Sequence, residues 1–154
     1  LAVVILGVVQ GGKPEMGFAA LSLLVGACFE LSLLEMKLVD YSESVQIPVG
    51  IKPPIWMLLL WPLLIRTLAA GQCLVWIRDK TLWCVLFGGF GGGLAYYGGD
   101  SLGALEFLSS NKIETAVYIG IGWAIMFPLM AKTRSYMESQ LFMSRPKGQK
   151  NGDV

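Results

Sequence analysis

Long apolar stretches separated by short clusters of charge, proline and glycine organise this chain. A helix needs about 20 residues, at ~1.5 Å rise, to cross ~30 Å of hydrocarbon. Four runs reach that length, from about Met16 to Val39, from Pro54 to Ile77, from Thr81 to about Leu108 and from Thr115 to Ala131. A partial run, Leu1 to about Gln10, is interrupted by Gly11, Gly12 and Pro14. Lys13-Pro14-Glu15 opens the first full run with a proline suited to a first helical turn. Arg78-Asp79-Lys80 closes the second, and Lys132 and Arg134 close the last. The segment from Asp40 to Pro53, with Pro48, Gly50, Pro53 and several hydroxyls, reads as a loop. The pattern predicts an all-α polytopic transmembrane helix bundle over residues 1–134, with four full spans and one partial N-terminal span. Residues 135–154, ending RPKGQKNGDV, read as a polar, poorly ordered tail.

Composition strengthens the membrane reading. Apolar residues make up 55% of the chain and charged residues 15%, outside the usual range for a soluble domain. The formal charge of +1 and the scatter of basic residues argue against nucleic acid as a partner. The start at Leu1 rather than Met, half a span before Gly11, leads us to expect a truncated or processed N-terminus. No basic region or small-residue cleavage site marks a signal peptide. Histidine is absent, which removes haem ligation through imidazole, His-rich metal sites and His-based nucleophile relays. Cys28, Cys73 and Cys84 are far apart in apolar runs and read as small hydrophobes rather than metal or redox ligands. No cofactor and no metal is expected.

Orientation follows from the basic residues near the span ends. Lys13, Arg78, Lys80, Lys132, Arg134, Arg145, Lys147 and Lys150 fall on one face, against Lys37, Lys52 and Lys112 on the other. Eight against three predicts that the C-terminus lies in the cytoplasm, or on the equivalent side of an organelle membrane.

Candidate chemistry lies with the charges inside the spans. Arg66 falls at the centre of its run, where an unpaired charge is expensive, and Glu30 lies at a similar depth one span earlier. An intramembrane pair of Arg66 with Glu30 is therefore expected, either as a structural register lock or as a proton-coupling or headgroup-binding site. Asp100, Glu35 and Glu106, in the outer halves of their spans, are candidates to line a polar vestibule. The glycine-rich run lacks a nucleotide-binding pattern. Gly91, Ala95, Gly99 and Gly103 recur every four residues, and Gly88 with Gly92 and Gly89 with Gly93 repeat the interval. Such spacing predicts a helix packed closely against neighbours, with a break near Gly98-Gly99 as the competing reading. Trp56, Trp76 and Trp83 fall near span ends as interfacial anchors, whereas Trp61 and Trp123 lie deeper, beside Pro62 and Pro128.

The stretches PIWMLLLWPLLIRTL and QCLVWIRDKTLWCVLFGGFGGGLAYYGGDSLGALEF, with a weaker match at GACFELSLLEMKLVDY, resemble a bacterial family of small polytopic membrane proteins catalogued only as a domain of unknown function. The resemblance covers about residues 53–106. An Asn-His pair often precedes the family's Ser-Leu-x-Trp element; here Gly71-Gln72 precede Cys73-Leu74-Val75-Trp76, so no role of that histidine carries over. The family's genes often lie near enzymes modifying unsaturated membrane fatty acids, and the resemblance therefore implies a lipid-related setting. The leading expectation is a non-catalytic accessory subunit or scaffold whose partners are membrane lipids and other membrane protein subunits. A small proton-coupled carrier using Arg66, Glu30 and Asp100 is the alternative, and a membrane-lipid-modifying enzyme the third.

Overall fold

A computed structural model describes the backbone of residues 2–41 and 52–144, and side chains over 15–41 and 52–140. The first helix, α1, runs Ala2–Glu35. It is followed by a short strand β1, Val39–Tyr41, and then α2, Ile55–Arg66. A single turn of helix, α3 (Val75–Arg78), leads into α4, Thr81–Ser101. Strand β2, Leu105–Phe107, and the long helix α5, Lys112–Ser144, complete the order. Helix α1 packs on α2, and α4 packs along the length of α5.

Several element boundaries differ from those read off the pattern: α1 stops at Glu35 rather than Val39, and α4 at Ser101 rather than near Leu108, because Val39 and Leu105–Phe107 are drawn into the two short strands. The partial N-terminal run is not separate, because α1 continues through Gly11, Gly12 and Pro14. The run Pro54 to Ile77 is not one helix: α2 stops at Arg66. Beyond it the Thr67 hydroxyl donates back to the Leu64 carbonyl at 2.5 Å, and Gly71 takes a positive φ of 76°. The Leu74 amide then donates to the Thr67 carbonyl, closing the turn that leads to α3. At ~1.5 Å per residue, the 12 residues of α2 cover only about 18 Å. Finally, α5 does not end at Lys132 and Arg134 but carries the polar segment to Ser144 as helix, while residues 145–154 lie outside the described residues.

The small sheet was not anticipated. Helix α4 ends where Gly103, at φ 73°, supplies the left-handed conformation of a helix C-terminus, and the Ala104 amide donates to the Gly99 carbonyl. The chain emerging from that cap pairs antiparallel with β1, Val39 opposite Phe107 and Tyr41 opposite Leu105. Inward residues of both strands are buried while Glu106 points out. The ladder thus covers one end of the bundle.

Glycines set how closely the helices approach. A Cβ on Gly26 would lie 2.3 Å from the Trp61 ring, so α1 accepts that indole directly against its backbone. On α4 the contacts fall at Gly88, Gly92 and Gly93, where a Cβ would meet the Trp123 carbonyl, the Trp123 ring and the Ala116 carbonyl within 2.8 Å. The close seam is therefore the Gly88/Gly92 and Gly89/Gly93 rows, facing Ala116, Gly120, Trp123 and Ala124 of α5. The row expected to pack forms no seam within the chain itself. Gly91 has open space around it, Ala95 is exposed, Gly99 meets only the Leu105 side chain, and Gly103 lies beyond the helix.

Two helical segments among the described residues, Glu15–Glu35 and Lys112–Gln140, are long and apolar enough to cross a membrane. Within the most apolar 18-residue stretch of each, only 28% and 39% of residues are buried inside the protein, whereas the core helix of a soluble domain is mostly buried. The outward surface is correspondingly apolar: Leu82, Phe90 and Leu94 on α4, and Val117, Ile121, Ile125 and Leu129 on α5, all stand exposed. Water-solvated monomers do not carry apolar faces of this extent. Lipid is the solvent that fits them, which points to a membrane protein.

Candidate functional site

The bundle interior is built around an acid. Glu30, on α1, is fully buried. Its Oε2 accepts a hydrogen bond from the Tyr41 hydroxyl at 2.5 Å, and its Oε1 accepts from the Tyr96 hydroxyl at 2.5 Å and from Trp61 Nε1 at 3.1 Å. These donors come from β1, α4 and α2, so one carboxylate joins four elements. Its partners are neutral, and each supplies the N–H or O–H that a desolvated carboxylate needs.

Aromatic rings enclose the hub. Trp61 stacks on Trp123 with centroids 4.5 Å apart and planes 17° from parallel, and Phe29 sits against both at 5.3 and 5.7 Å. This cluster bridges the α1–α2 pair to the α4–α5 pair. Its tight approach depends on Gly26 and Gly92, whose missing side chains leave room for the two indoles. Trp61 spends its N–H on Glu30.

The structure does not bring Arg66 to Glu30. Because α2 ends at Arg66, the guanidinium lies at the end of the bundle, 3.9 Å from the Glu15 carboxylate. Glu15 is held mainly by Arg134, whose NH1 and NH2 both reach it, one of them at 2.9 Å. Arg134 Nε also donates to Glu138 at 2.7 Å, and Glu138 in turn accepts from Arg78 and from the Ala70 amide. Ser135 donates to Asp79 at 3.0 Å. This network ties α1, the α2–α3 turn and α5 together at one end.

The expected vestibule is likewise not assembled. Asp100 is engaged at the opposite end, where Lys112 reaches it at 2.7 Å and the Phe107 amide donates to it at 3.0 Å. These bonds tie α4 to β2 and to the start of α5. Glu106 is exposed opposite Asp40 on the small sheet, and Glu35 is exposed at the end of α1. On that same end Lys52 bonds Asp40 at 2.5 Å and holds its carboxyl below the usual range. Hence Arg66, Glu30 and Asp100 occupy one end, the middle and the other end.

Tyr41, Tyr96 and the role of Trp61 were missed by the charge-pairing argument. The available signal was depth: an acid in mid-span needs donors at its own level, and neutral hydroxyl and indole groups satisfy it without a second buried charge. No group of three or more potential metal-ligating side chains occurs among the described residues.

Neither a curated protein nor a solved structure matches the chain. The model of a family described as proteins of unknown function, DUF2878, matches residues 1–129. That match extends well beyond the aromatic and glycine-rich stretches, across α1, the hub residues and most of α5, and the chain belongs to the DUF2878 family.

Proposed function

We propose that this protein is a multi-pass component of a bacterial inner membrane, working as a non-catalytic accessory subunit or scaffold in a lipid-related membrane assembly. In this reading α1, α4 and α5 cross the bilayer and α2 enters it as a shortened fourth span. The end bearing Glu15, Arg78 and Arg134 faces the cytoplasm, in keeping with the excess of basic residues on that side. The observation that carries the reading is the bonding of Glu30. Its carboxylate is spent on Tyr41, Trp61 and Tyr96 as an internal fastening, and Arg66 and Asp100, which a proton-coupled carrier would need beside it, are bonded at opposite ends. Meanwhile Gly91 and Ala95 lie outward on α4 with no role in the chain's own packing, and small residues at that spacing suit close approach by another membrane helix.

Native purification tests this. The wild-type chain should leave the membrane with a partner in fixed ratio, and Gly91→Leu with Ala95→Leu should release that partner while the chain stays folded. A chain that purifies alone, and in proteoliposomes moves protons in a manner abolished by Glu30→Gln, would contradict it.

A further inference from the structure

At the Arg134 end a cleft of about 330 Å³ opens between the α3–α4 turn and the last turns of α5. Its lining carries two cations, Arg78 and Lys132, and four hydroxyls, Thr81, Ser135, Tyr136 and Ser139. Lys132, Ser135, Tyr136 and Ser139 recur at the spacing that keeps side chains on one face of a helix. Asp79 is the one acid of the lining, and it is already occupied, accepting from Ser135 and lying 3.6 Å from Arg78 Nε. That Nε is buried without a hydrogen-bond acceptor, although Arg78 NH1 is used by Glu138 and the Leu68 carbonyl. Thr81 opens α4, a 21-residue helix whose start has no side-chain cap, so the positive end of that helix adds to the field in the cleft.

The surroundings identify the depth. Trp76 and Trp83 stand exposed beside the cleft's turn with their rings 6.4 Å apart, and Lys80 lies over the Trp76 ring at 5.6 Å. Exposed tryptophans with a neighbouring lysine belong at the headgroup level of a bilayer. Leu129 and Ile125, three and seven residues before Lys132 on α5, are exposed and apolar, which gives an acyl chain a surface to follow below the headgroup.

We infer that this cleft binds the phosphate of an anionic phospholipid headgroup, with Lys132 and Arg78 supplying charge and the Thr81 and Tyr136 hydroxyls supplying donors, since Ser135 and Ser139 already donate to Asp79 and to the Tyr136 carbonyl. The inference rests on the proposed placement of this end at a membrane surface. It does not depend on the scaffold role.

The test uses the full chain extracted from membranes into a neutral maltoside detergent and titrated with phosphatidylglycerol, phosphatidylcholine or inorganic phosphate, with binding read by native mass spectrometry and thermal shift. Lys132→Gln is the variant of choice, because Lys132 is exposed and forms no ion pair among the described residues. Phosphatidylglycerol should bind the wild type more tightly than phosphatidylcholine, and Lys132→Gln should weaken phosphatidylglycerol about fivefold while leaving phosphatidylcholine unchanged. Equal binding of the two lipids, or no effect of Lys132→Gln, overturns the site. Inorganic phosphate binding as tightly as phosphatidylglycerol overturns the lipid assignment. A chain that alkaline carbonate strips from membranes before detergent is added contradicts the membrane placement itself, and is distinguished from a failed headgroup site by that step.

Discussion

Tyr41 donates its phenolic hydrogen to Oε2 of Glu30 at 2.5 Å, so a residue of the short strand β1 fastens the cover of the bundle to its interior. Removing the hydroxyl leaves part of a buried carboxylate unsolvated. Tyr41→Phe should therefore lower stability by about 1.5–3 kcal/mol, the range for hydrogen bonds to charged groups. Tyr96→Phe should behave alike, and the two together should deviate from additivity because they share one acceptor. Thermal unfolding in detergent measures all three; an unchanged midpoint in both single variants would show that the hub does not hold the fold.

Glu30 and Arg66 should behave as independent sites. Glu30→Leu strands three donors and should cost several kcal/mol. Arg66→Leu loses a partly exposed contact with Glu15 and should cost no more than about 1 kcal/mol. In the double variant the losses should add to within about 0.5 kcal/mol. A double variant more stable than Glu30→Leu alone would restore the direct ion pair.

The two glycine faces of α4 should separate cleanly. Alanine at Gly88 or Gly93 places a methyl within 2.8 Å of an α5 backbone carbonyl, where neither partner is a flexible side chain, and should destabilise by about 1–3 kcal/mol. Alanine at Gly91 meets nothing and should be neutral or stabilising by up to about 1 kcal/mol through helix propensity. Equal effects at Gly88 and Gly91 in the same unfolding assay would remove the assigned seam.

Hydropathy and charge made much of this fold legible before any coordinates. The apolar runs locate α1, α4 and α5 because lipid demands length and apolarity together, and both signals are local. What escaped was non-local. Arg66 reads as mid-span only while its run is treated as one helix, and the stop after it depends on the Thr67 turn, on Gly71 and on a partner at Glu15 contributed by another helix. The four-residue glycine interval is visible along α4, but several overlapping rows share it. Which row faces α5 is decided by where Ala116, Gly120 and Trp123 lie. The hub was half legible: Glu30 stands out as an acid in mid-span, whereas its donors are ordinary aromatic residues until the helices are brought together.

The central claim is a bundle that crosses the membrane with the Glu106 end and the Ser139 end on opposite sides. Single cysteines at Glu106 and Ser139, both exposed, in a chain whose exposed Cys28 and Cys73 are replaced by Ser, test it with a membrane-impermeant maleimide on intact cells and inverted vesicles. The account predicts that Glu106→Cys is labelled only in intact cells and Ser139→Cys only in inverted vesicles. Labelling of both positions from the same side would contradict it.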